Sequence, residues 1–151
     1  MDQIDKRILS LLQEDADHSV ADIADRAGLS PTPCWKRIKK LKEKGIIKKK
    51  VLLLDHDKVG MGMTGFVRIR CADHSDDWLD RFMRIVKDIP QVLECHRMTG
   101  DVDYFLKIVC SSMSDYDHIY KQLIKAGNLA DVSVSFSMEK VKETTALPLT
   151  I

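Results

Sequence analysis

The chain lacks any apolar run near the roughly 20 residues that a membrane-spanning helix needs, and its first residues, MDQIDKRIL, hold no apolar stretch of the signal-peptide kind. A cytoplasmic protein is therefore expected, with no part in a membrane. The four cysteines, Cys34, Cys71, Cys95 and Cys110, include no CxxC pair and read as reduced, mostly buried thiols. Neither Cys71 with His74 nor Cys95 with His96 has a metal-ligand spacing, so neither a metal nor a cofactor is expected. Also missing are a nucleophile elbow, a Walker loop and a paired metal motif, while His18, His56, His74, His96 and His118 are scattered. An enzyme is not expected. Overall charge is nearly absent too, at +1.

What the chain does have is an uneven spread of that charge. Residues 1–50 carry 12 basic and 8 acidic side chains (+4), and residues 51–151 carry 12 and 15 (−3). Such asymmetry favours two jobs over one. Within residues 30–50, SPTPCWKRIKKLKEKGIIKKK, nine Lys or Arg face one acid, Glu43. Clustered charge of this kind is what phosphate contacts require.

Three helical patterns fill the first 45 residues. Ile4, Ile8, Leu11 and Leu12 keep helical spacing behind Asp2 and Asp5. Ser19 and Asp22 resemble a capping pair for a short helix bearing Ile23, Ala24 and Ala27 and stopped by Gly28. Ser30 and Pro31 then open a third helix. On it Cys34, Ile38 and Leu41 form one stripe, and Thr32, Trp35, Lys36, Lys39 and Lys40 form another. A short helix, a glycine turn and a basic helix constitute a helix-turn-helix. Residues 46–54 read as a strand or hairpin arm, and residues 55–62 as a linker.

From Met63 the pattern alternates strand and helix in the order βαββαβ. The expected architecture is α+β: a winged-type helix-turn-helix over 1–54, then a ferredoxin-like domain over 63–151. With both helices on one sheet face, Phe66, Phe105 and Val109 are candidates for an open face that needs a partner.

IDKRILSLLQED, ADIADRAGLSPTPCWKRIKKLKEKGII, MTGDVDYFLKI and SFSMEKVKETTALPL together resemble the Lrp/AsnC family of transcription regulators along essentially the whole chain. The resemblance implies a DNA-binding regulator of amino-acid or related metabolism, tuned by an amino acid or similar effector. It also implies homodimers that assemble further, often into octamers.

Double-stranded DNA is the expected partner of Ser30, Thr32, Pro33, Trp35, Lys36, Arg37, Lys39 and Lys40. Arg37 is the candidate for reading guanine, with phosphate contact as its alternative, and Trp35 either meets DNA or packs on the first helix. Lys48 to Lys50 are expected to add phosphate contacts rather than base contacts, with a merely solvated charge run as the alternative. In the family the effector binds near the turn between the second and third strands of the sensing domain, between dimers. By that resemblance the effector residues here are Thr99, Gly100, Asp101, Asp103 and Tyr104, and Ser133 and Ser135, in a serine row on one strand face, would add hydroxyl contacts. Gly100 would let peptide N–H groups approach a carboxylate, and Asp101 or Asp103 would receive an amino group. Asp103 as a turn-stabilising side chain and the serines as a solvent-facing row are the alternatives.

Overall fold

The computed structural model describes residues 1–150 and divides into two compact units, Met1–Leu52 with the tail from Val141 on, and Leu53–Lys140. The expected second domain ran to residue 151, but by its contacts the tail groups with the first unit.

The first unit holds α1 (Gln3–Glu14), α2 (Val20–Ala27) and α3 (Pro31–Glu43). Reciprocal capping boxes start α1 (Asp2 with Asp5) and α2 (Ser19 with Asp22), pairing N–H groups that a helix start leaves unbonded. Gly28 ends α2 at φ 72°, a left-handed conformation that costs glycine no steric penalty, and Leu29 N–H closes the turn on the Ala24 carbonyl at 2.8 Å. Ile8, Leu11, Ile23, Ala24, Ala27, Cys34 and Ile38 meet in one core, with Ile4, Leu12, Leu29 and Ile47 packed on it. Residues 48–54 form no strand, and Val51 to Leu54 are exposed. The expected strand or arm is not formed within one chain, because nothing in the unit offers those residues a ladder partner.

The second unit is a four-stranded antiparallel sheet in the order β2-β3-β1-β4, built from β1 (Met63–Cys71), β2 (Val92–Arg97), β3 (Tyr104–Cys110) and β4 (Leu129–Phe136). With α4 (Asp76–Asp88) and α5 (Met113–Leu123) it makes the βαββαβ order expected. The period of two sends Val67, Ile69, Leu106 and Ile108 toward the helices, where all are fully buried. They pack with Trp78, Phe82, Val86, Ile119 and Leu123, each contributing about 1.5–3 kcal/mol on burial. The Trp78 indole N–H donates to the Gly127 carbonyl at 2.7 Å, so the largest core side chain leaves no polar atom unmet. Gly65 is the exception in β1: a Cβ there would stand 3.0 Å from Ile108 and 3.2 Å from Phe136. Met138, expected to continue the β4 alternation, lies past the strand end and is fully exposed.

Candidate nucleic-acid interface and effector region

α3 separates its two stripes as its spacing requires. Cys34, Ile38 and Leu41 are buried, whereas Thr32, Trp35, Lys36, Lys39 and Lys40 are exposed. Burial pushes the Cys34 thiol above its ordinary pKa, which disfavours the reactive thiolate. Ser30 is the N-cap but its hydroxyl makes no capping bond. Pro31 and Pro33 carry no N–H, so Thr32 alone offers an unbonded backbone donor among the first three helical positions. Trp35 does not pack on the first helix. It is 51% exposed, and the Lys39 ammonium stands 5.4 Å from the centre of its ring. Lys36, Lys40 and Lys44 line a groove of about 520 Å³ with Asp2, Asp5, Pro33 and Arg37.

Arg37 is placed differently from the lysines. Its Nη1 donates to Asp2 Oδ2 and to Asp5 Oδ1, each at 2.7 Å. The two acids of the α1 capping box therefore hold the guanidinium. The Asp5 backbone amide and then Arg37 draw the Asp2 carboxyl below its usual range, and the two carboxylates raise Arg37 further. Nothing in the spacing of Asp2 and Asp5 signals this partner, which lies 32 residues or more along the chain. Lys50 is ion-paired with Asp17, while Lys48 and Lys49 are exposed.

The seven residues expected around an effector fall into separate places. Thr99, Gly100 and Asp101 share the exposed tip of the β2–β3 hairpin, where Gly100 has φ 101°. Asp103 is tied into the sheet. Its carboxylate accepts the Cys71 amide at 2.7 Å, its own amide donates to the Ile69 carbonyl, and its carbonyl accepts from Met98. The side chain adds one more rung where the β1–β4 register shifts between Arg70 and Cys71. Tyr104 is a core residue, 4.7 Å from Phe82 and 6.2 Å from Trp78 between ring centres.

Ser133 and Ser135 lie on the sheet face away from the helices. By register Ser133 continues a row through Arg68, Phe105 and His96, and Ser135 one through Phe66, Lys107 and Glu94. Phe66 and Phe105 stack on that face with centres 5.8 Å apart. His96 and Lys107 both bond the Glu94 carboxylate and hold it in its charged form.

Residues 1–48 match the winged helix-turn-helix DNA-binding model and residues 64–147 the Lrp/AsnC ligand binding domain. The chain belongs to the Lrp/AsnC family. It is 50% identical to the glutamate uptake regulatory protein of Zymomonas mobilis, over 99% of this chain and 91% of that one. Its identity to the DNA-binding transcriptional activator DecR of Escherichia coli K12 is 43%, over 99% of each. The AsnC family transcriptional regulator from Agrobacterium tumefaciens superposes with a TM-score of 0.93 at 49% identity, covering 98% of this chain and 97% of that one. A transcriptional regulator of Neisseria meningitidis in complex with L-Met superposes equally well, TM-score 0.93, at 32% identity over 98% of this chain and 96% of that one. This Lrp/AsnC protein is thus a DNA-binding transcriptional regulator with a ligand-binding domain, not an enzyme.

Proposed function

We propose that the regulator reads DNA with the exposed stripe of α3, as a homodimer that assembles into larger forms such as octamers and is tuned in the cytoplasm by an amino acid. The observation that carries this reading is the division of α3 into a buried apolar stripe and an exposed stripe of Thr32, Trp35, Lys36, Lys39 and Lys40. A helix of this kind fits the major groove, with lysines on phosphates and Thr32 and Trp35 at base edges. Ser30 and Pro33 sit at the N-terminal end of α3, the end that would enter the groove first. Arg37 acts through α1, fixing α3 to its start through Asp2 and Asp5.

For assembly, two apolar surfaces support the reading. Phe66 and Phe105 stand on an uncovered sheet face, and Val51 to Leu54 are a run of four exposed apolar residues. The effector site we assign to the hairpin tip, Thr99, Gly100 and Asp101. There a backbone of positive φ can present N–H groups to a carboxylate, and Asp101 can take an ammonium. Asp103 supports the tip from beneath it, Tyr104 belongs to the core, and Ser133 and Ser135 belong to the assembly face. The L-Met complex of the Neisseria relative favours an amino acid as the ligand class. A ligand acts on DNA binding only through unequal affinity for different assemblies.

The test is selection of sites from a random duplex library by the purified protein, repeated with each amino acid at millimolar concentration. A short palindromic site whose recovery changes with one amino acid is the expected result. Recovery without sequence preference at every salt concentration would replace this reading with an architectural DNA-coating protein.

A further inference from the structure

Leu9 is buried on the wrong side of its helix. At 100° per residue, Ile4, Ile8, Leu11 and Leu12 face the three-helix core, and Leu9 lies about 115° around α1 from the middle of that set, in one stripe with Lys6 and Gln13. It is nonetheless only 8% exposed and is not part of the helix-turn-helix core. The two residues flanking it along the stripe hold the C-terminal tail. Gln13 Nε2 donates to the Leu147 carbonyl at 3.2 Å, and the Leu147 amide donates back to Gln13 Oε1 at 2.7 Å. Lys6 Nζ donates to the Thr150 carbonyl at 2.5 Å. Leu149, between those anchors, is half-buried, whereas residues 141–148 are exposed.

We propose that the Lys6–Leu9–Gln13 stripe is a docking groove for the protein's own C-terminal segment, which latches antiparallel along α1. The lengths agree: Lys6 to Gln13 rises about 10 Å along a helix, and Leu147 to Thr150 spans about 10 Å when extended. Pro148 favours the extended form at Leu147, and a glutamine amide can donate and accept at once, matching the acceptor and donor that an extended backbone presents. The ligand class is therefore an extended peptide with an apolar residue between two backbone anchors, and the LPLT sequence of residues 147–150 supplies it. Because Asp2 and Asp5 at the start of α1 hold Arg37 of α3, the latch braces the helix that positions α3. It also returns the chain to the first unit after Lys140, giving the two units a second covalent connection.

Two measurements test the latch. The first is amide hydrogen exchange of residues 3–14 in the full chain and in a chain ending at Ala146. Exchange in α1 should speed up by about an order of magnitude on truncation, as expected for the loss of a few hydrogen bonds and one apolar contact. Equal exchange in the two would overturn the proposal. The second stands even if the truncated chain does not fold. Gln13→Cys with Leu147→Cys, in a Cys95→Ser background, is treated with a short bis-maleimide and run on a denaturing gel. Cross-linking within one chain is expected, and cross-linked pairs of chains, or none, would overturn it.

Discussion

The Arg37 guanidinium and the Asp5 carboxylate stand 2.7 Å apart, joining the middle of α3 to the first turn of α1. Asp5 is mostly buried, at 17% exposure, and it also completes the α1 capping box. One carboxylate thus serves both the start of the supporting helix and the placement of the basic one.

Arg37→Gln and Asp5→Asn should therefore have similar effects. Each should lower stability to urea by about 1–2 kcal/mol, and the double variant should lose less than the sum. Both should weaken DNA binding. If Asp5→Asn instead left DNA affinity intact while Arg37→Gln abolished it, Arg37 would be a direct DNA contact.

The same cluster sets an acid limit. The Asp2 carboxyl is held below the ordinary aspartate value of 3.8 by the Asp5 amide and Arg37. A depressed folded value stabilises above 3.8 and loses that contribution as pH falls through the folded value. Melting temperature of the wild type should consequently drop below about pH 4. Asp2→Asn should show a shallower drop over the same window, followed by circular dichroism.

Most of the fold was legible in the chain, because periodicity and helix punctuation are local signals. Cys34, Ile38 and Leu41 announce a buried stripe by spacing alone, and the alternation around Val67 and Ile69 announces a strand. The details that spacing leaves open depend on partners distant in sequence. Trp35 looked as suited to packing as to exposure, since nothing local says whether a neighbour covers it. Asp103 and Tyr104 sit next to each other, yet one closes a rung on Cys71 and the other enters the core beside Phe82. A motif that names the turn does not say which of its side chains are already engaged. The burial of Leu9 was not legible for the same reason, since the tail that bonds its neighbours Lys6 and Gln13 lies 134 or more residues away.

Trp35 and Trp78 should report separately. Trp78 is buried and bonded to Gly127, whereas Trp35 is exposed among lysines. In a Trp78→Phe variant the remaining emission should shift or quench when duplex DNA is added. Trp35→Ala should weaken specific binding roughly tenfold yet change stability by no more than about 0.5 kcal/mol.

The hairpin tip and its support should also separate. Asp103→Ala leaves the Cys71 amide without its acceptor and should cost about 1–3 kcal/mol in chemical unfolding, with Asp103→Asn costing less. Asp101→Ala should leave stability unchanged and reduce the response to the amino acid found by site selection.

On the open sheet face, Phe105→Glu would set a charge beside Phe66 and in the same row as Arg68. Sedimentation analysis should then show a shift toward monomer at concentrations where the wild type is assembled. An unchanged distribution would remove this face from the assembly.

The most direct test of α3 as the DNA-reading helix is the salt dependence of binding to a selected site. Lys36→Ala with Lys40→Ala should lower the slope of log Kobs against log salt by about 2, because each phosphate contact contributes about 0.9. A slope equal to that of the wild type would contradict the account.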